Sequence, residues 1–331
     1  MSTATPTSCT EVGPKTSDVW TCTGAACGSL LLSVAVVHDL HWETHISIVR
    51  GTALFLLGLV FFTCSYYAIK IAFEATKSGR RVAKTYNLQE ADIMEISNKQ
   101  VSAVQALFCC MTGATCSWYS CRRNMMKTSH YISEAYAWFG AAYFFYDIWS
   151  MYKVHRAKVA QKPEMNGNGN AVVKTESLVS KITSYLRKNG VIVFHHLFIG
   201  MFGFLVITHL RGGFGDCFFG FVYLMEASTP FVSVRGILSK IGLKDSSLYV
   251  YNGIIMLITF FICRVAMFPY VIYVYGQAAG LDFISAIKSL PRGCLTGIAI
   301  LLLPQIYWFW LMIRGAVKIM ITPASPKAKT N

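Results

Sequence analysis

Seven apolar runs, each near the ~20 residues that a bilayer core requires, divide this sequence. They cover about 51–73, 101–118, 135–152, 191–209, 214–232, 248–274 and 294–313. A chain in lipid must satisfy its backbone hydrogen bonds internally, so such runs are read as helices. The fold class is therefore all-α: a polytopic membrane protein of about seven transmembrane helices. Of the 331 residues, 54% are apolar and only 14% charged, which excludes an ordinary soluble domain. Tyr and Trp gather at run ends, as at Trp118, Tyr119 and Trp149, in the manner of interfacial belts. Pro269 and Pro304 fall inside runs, where each removes a backbone donor.

The formal net charge is +14, but the basic residues lie between apolar runs and not in one patch. They read as topology signals and headgroup contacts, with no nucleic-acid footprint. Lys and Arg number 21 on the side facing the loops after runs one, three and five and the C-terminal tail, against eight on the other. That asymmetry predicts a lumenal N-terminus and a cytosolic C-terminus. Residues 1–49 form a polar N-terminal tail, mostly flexible over 1–27 and without a cleaved signal peptide. The membrane domain spans 50–323 and contains a flexible cytosolic loop at 157–177 around Pro163–Asn170, and 324–331 is a cytosolic tail. That tail ends Lys327-Ala-Lys329-Thr-Asn331, which resembles a KxKxx signal for retrieval to the endoplasmic reticulum.

Eleven cysteines include no CxxC pair, which leaves a zinc ribbon or thioredoxin-like site unsupported. Cys64, Cys109, Cys110, Cys217 and Cys263 read as small core residues. Cys116 and Cys121 lie near one helix end, where a lumenal disulfide would be admissible with no pair identified. His38, His41 and His45 would share a face on a helix and could hold a metal, but the plainer reading is a polar approach to the first span. No metal site is assigned.

Ionisable groups at bilayer depth are costly and so mark candidate sites. A helix rises about 1.5 Å per residue. His195 and His196 then lie roughly 6–8 Å inside the cytosolic boundary. Glu226 and Asp147 each lie twelve residues into runs that enter from the lumen, about 12 Å from the cytosolic boundary. All four share the cytosolic half. Asp216, at the lumenal mouth of run five, is expected to pair with Arg264 in run six and neutralise it. A His beside a carboxylate can act as a general base or carry an acyl group, whereas the structural alternative is polar glue between helices. Gln305, Tyr307 and Trp308 near Pro304 would line a cavity or simply pack.

Several stretches carry a resemblance to a known family: FHHLFIG from Phe194, GDCFFGFVYLMEASTPFVSVR from Gly215, YNGIIMLITFFICRVAMFPY from Tyr251, YGQAAGL from Tyr275 and LPQIYWFWLMIRGAVK from Leu303, with AYFFYDIWSMY around Asp147. The chain resembles the TLC-domain family, which includes the ceramide synthases, and looks closest to the branch called TLC domain-containing protein 3. The resemblance implies a helical endomembrane protein enclosing a lipid cavity. In the ceramide synthases a His-His pair and acidic residues transfer a fatty acyl group from acyl-CoA to a sphingoid base. By motif order the matching residues are His195, His196 and Asp216; by depth the acidic partner is Glu226 or Asp147. The region LMEASTPFVSVR carries one Glu where ceramide synthases carry further Asp residues. The implied partners are membrane lipids, acyl-CoA as co-substrate with no bound cofactor, and homo- or hetero-oligomers. The implied location is the endoplasmic reticulum, with the Golgi or plasma membrane as alternatives. A non-enzymatic lipid-binding or lipid-homeostasis factor is the competing function. An ion-coupled transporter is a weaker third, because no inverted repeat is visible.

Overall fold

The structure is a computed structural model that describes residues 13–161, 164–165, 171–172 and 177–321. The Lys327–Asn331 signal and the Asn/Gly centre of the long loop lie outside the described residues. Beside that centre, Glu164–Met165 (β1) and Ala171–Val172 (β2) pair antiparallel. Everything else of note is helical, and the chain is a polytopic all-α membrane protein.

The helices are α1 Thr16–Val37, α2 Ile48–Ala75, α3 Lys77–Thr85, α4 Glu90–Ser120, α5 Tyr131–Ala160, α6 Leu178–Leu197, α7 Asp216–Leu224, α8 Thr229–Lys240, α9 Ser247–Phe260, α10 Met267–Ala279, α11 Phe283–Ser289 and α12 Arg292–Ile321. Among the described residues seven helical segments are long and apolar enough to cross a membrane. Six coincide with predicted runs. The seventh is α1, where a mostly flexible tail was expected. Its apolar stretch Leu30–Val37 alone is too short to span, and its polar first half reads as tail. Ala26, Ser29 and Ser33 are buried along the helix, while Trp20, Leu31 and Leu32 face outward. Ser29 and Ser33 return their hydroxyls to carbonyls one turn back, so neither costs an unpaired donor.

The predicted run at 135–152 falls on α5, which is absent from the seven because Tyr, Trp and Asp147 lower its hydropathy. The reason is position. α5 packs between α2 and α4, with half of its residues buried. Its Tyr136, Phe139, Ala142, Tyr143 and Tyr146 join Leu54, Phe62 and Tyr66 of α2 in the main core. An interior helix has no need to be apolar all round. A smaller core joins Met225 to Met267 and Phe268.

One end of the bundle is closed by a polar lock. Cys121, just after α4, forms a disulfide with Cys217 at the start of α7. Cys217 is thus a bridge residue, not the small core residue expected, because the turn before α7 lays its first residues against the end of α4. Asp216, fully buried, accepts from the His130 backbone N–H at 2.7 Å and from Arg211. Arg211 reaches it because the turn between them is left-handed at Gly212, Gly213 and Gly215. The expected Asp216–Arg264 pair does not form. Arg211 takes Asp216, since a five-residue turn brings it back over the helix start, and Arg264 finds another partner. His130 caps α5 by accepting from the Ile132 N–H, and burial holds its imidazole below the usual range.

His38, His41 and His45 do not lie on a helix. His38 bonds the Ala35 carbonyl and His45 meets Glu134 at 2.8 Å. Among the described residues no group of three His, Cys, Asp or Glu side chains is placed to hold a metal ion.

Candidate active site

At the opposite half of the bundle, α4, α5, α6, the α7–α8 junction, α9 and α12 enclose a cavity of about 440 Å³. Backbone irregularities aim its side chains. Pro230 cannot donate to the Glu226 carbonyl, and the chain tightens into a 3₁₀ turn over Met225–Ser228 that carries Glu226. Pro269 likewise cannot donate to Val265, and the wide turn Phe261–Ala266 before it carries Arg264. α6 also ends in a wide turn, Phe198–Gly203, directly after the two histidines. Such π-turns re-aim side chains that a regular helix would place elsewhere.

His195, His196, Asp147 and Glu226 all line the cavity. His196 Nδ1 lies 3.1 Å from Asp147 Oδ2, at ion-pair distance but without hydrogen-bond alignment. Asp147 Oδ1 accepts from Asn98 Nδ2 at 2.7 Å, and Asn98 Oδ1 accepts from the Tyr146 hydroxyl at 2.9 Å. His195 Nδ1 is buried with no hydrogen-bond partner, and its ring meets the edge of Trp308 at 5.2 Å. Across the cavity Glu226 Oε2 lies 3.1 Å from Arg264 and accepts from Thr229. Arg264 also donates to Ser228, Thr229 and Gln305. At the mouth stand Lys99, Lys158 and Lys188, with Lys158 paired to Glu95.

Of the five sequence-predicted residues, the structure brings four together. Asp216 is excluded and belongs to the lock. Arg264 was placed near the lumenal side and instead stands level with Glu226. The expectation took the first residue of run six as the edge of the bilayer core, whereas the helices on that side run on past the core. α8 continues to Lys240, fourteen residues beyond Glu226, or about 21 Å. Arg264 is seventeen residues from the start of α9, or about 26 Å. Trp308 lines the cavity, Gln305 is buried against Arg264, and Tyr307 is exposed. Asn98 was missed altogether. Its only sequence signal is a polar residue three positions before the apolar run at 101–118.

Gly200, one turn after His196, sets the approach of α6 to α5. A Cβ there would meet Phe144 Cβ at 3.0 Å. Gly200→Val is expected to cost about 1–3 kcal/mol by overpacking and to part His196 from Asp147. Thermal unfolding in detergent checks this, with Gly203→Val as control, where the nearest atom is 3.7 Å away.

These features define a class, an integral membrane protein with a polar, ionisable cavity buried among its helices. A family model described as the TLC domain matches residues 95–314, about two thirds of the chain. The chain belongs to the TLC-domain family, whose members act in lipid metabolism and lipid sensing in membranes.

Proposed function

We propose that this protein transfers a fatty acyl group from acyl-CoA to the amine of a sphingoid base. The observation that carries the reading is the placement of His196 against Asp147 in a cavity with lysines at its mouth. In this scheme His196 takes a proton from the attacking amine as the nitrogen bonds to the thioester carbonyl carbon. The carbon–sulfur bond then breaks, and the proton passes to the departing thiolate. Asp147 orients the ring and stabilises its cationic form. Glu226, held by Arg264, offers a polar contact to the acceptor on the facing wall. The lysines attract the CoA phosphates.

That scheme puts the cavity mouth and the C-terminus in the cytosol and the disulfide end in the lumen, with the endoplasmic reticulum as the site of action. If α1 also crosses, Lys15 joins the cytosolic majority, which strengthens the charge asymmetry. Affinity to the TLC domain-containing protein 3 branch rests on the sequence blocks from Gly215 and Leu303.

The test is N-acyl transfer by purified protein in nanodiscs, with acyl-CoA and sphinganine, beside His195→Ala/His196→Ala. Product from wild type and none from an equally folded variant is expected. No product from wild type across chain lengths and acceptors would sink the acyl-transfer reading. Lipid binding that persists in the variant would then favour a lipid-binding factor.

A further inference from the structure

We propose that Asn98 is a positioning residue: it fixes which oxygen of Asp147 faces His196 and so which His196 nitrogen carries the proton. Asn98 is buried on α4 and lies at the cavity wall, and both ends of its amide are engaged by protein. Its nitrogen donates to Asp147 Oδ1 at 2.7 Å, and its oxygen accepts from the Tyr146 hydroxyl at 2.9 Å. Chemistry fixes that orientation. A flipped amide would set its oxygen against a carboxylate oxygen, two acceptors in contact with no proton between them. The helix under Asn98 is pinned as well. Its carbonyl accepts from Ser102, whose hydroxyl accepts from Tyr143 on α5.

Oδ1 accepts from Asn98, which turns Oδ2 toward the histidine, 3.1 Å from Nδ1 at ion-pair distance without hydrogen-bond alignment. A carboxylate at Nδ1 selects the Nδ1–H tautomer and leaves the Nε2 lone pair free. An imidazole with no such partner prefers the opposite tautomer, with the proton on Nε2. The Tyr146–Asn98–Asp147 relay therefore decides which ring nitrogen of His196 is free to accept a proton, namely Nε2. Neither His195 nor Glu226 competes for this edge. His195 lies at 6.0 Å between ring centres, and the Glu226 carboxylate is held by Arg264 and Thr229. The tautomer claim rests on the Asn98–Asp147 hydrogen bond and the 3.1 Å approach of Oδ2 to Nδ1. Its catalytic consequence rests on the acyl-transfer reading.

The experiment is ¹⁵N NMR of histidine-labelled protein in nanodiscs, at a pH where imidazole is neutral, with the His196 signal assigned by its loss in His196→Gln. Wild type is expected to show Nδ1–H, and Asn98→Ala a shift toward Nε2–H. An unchanged tautomer in Asn98→Ala overturns the proposal. Should that variant not fold, Tyr146→Phe removes the far end of the relay, and it is expected to shift the tautomer the same way; no shift there also overturns it. In acyl transfer, Asn98→Ala is expected to lower kcat about tenfold or more with KM for acyl-CoA unchanged, as supporting groups behind a reactive side chain do. That loss should vanish in the Asp147→Ala background, whereas an equal loss in both backgrounds would mean a packing role and overturn the proposal. If wild type transfers nothing, the acyl-transfer reading fails and the NMR result still decides the role of Asn98.

Discussion

Arg211→Met is expected to destabilise the protein by about 3–5 kcal/mol, the range for removing one partner of a buried ion pair. Asp216 is fully buried, and Arg211 is nearly so. Without the guanidinium, the carboxylate keeps the His130 N–H but loses its counter-charge. Arg211 also donates to the Ser133 hydroxyl and to the Ile207 and Phe214 carbonyls, so the same change frees three further acceptors. The double change Arg211→Met/Asp216→Leu is expected to cost clearly less than the sum of the two single changes, because no charge is left stranded. Thermal unfolding of the detergent-solubilised protein, with the disulfide intact, checks both. The result also decides what Asp216 is for. A lock residue lost through Arg211 lowers stability first. If Arg211→Met were as stable as wild type and yet inactive, Asp216 would have to act in the chemistry, and motif order would prevail over depth.

How far the sequence reached depended on which face of each helix carried the signal. Six spans were legible because their apolar residues face lipid. α1 was not, because its Ser- and Thr-rich first half reads as tail and its apolar run Leu30–Val37 is too short to cross on its own, although its buried Ser29 and Ser33 satisfy their hydroxyls within the helix. α5 was legible as a span only through its aromatic residues. The disulfide pairs residues 96 apart in sequence, and nothing local to Cys121 or Cys217 signals the other.

The site was legible through depth. Counting residues from the ends of the runs put His195, His196, Asp147 and Glu226 at one level, and the cavity holds all four. The same count failed for Arg264, because it took the first residue of run six as the edge of the bilayer core, although the helices on that side extend beyond it to Lys240. A helix that leaves the bilayer core stays a helix while its own hydrogen bonds hold. Lys240 marks that true end, tied to Asp92 and Glu95 of α4. Asn98 was invisible for a different reason. One amide four residues before Ser102 becomes informative only when Asp147 and Tyr146 are known to sit beside it.

The two histidines are expected to be unequal. His196→Ala should lower kcat by about 10²–10⁴-fold, the range for loss of a general base. His195→Phe should keep more than about a tenth of wild-type kcat, because it removes no group with a carboxylate partner. The geometry separates them. Adjacent residues on a helix point about 100° apart, so one base and one carbonyl cannot be served equally by both. His196 has Asp147 at 3.1 Å, and among the described residues no acidic group stands at ion-pair distance from His195. His195 instead presents its ring to the edge of Trp308, a contact that Phe can keep. Single-turnover acyl transfer with each variant, in nanodiscs and at saturating acyl-CoA, measures the difference. Asp147→Asn should follow His196→Ala in direction with a smaller loss, since the ring remains but its cation is no longer stabilised. If His195→Phe were the more damaging change, the base would be His195, whose unpartnered Nδ1 would then find its partner in the substrate, and the His196–Asp147 contact would be a tie between α5 and α6.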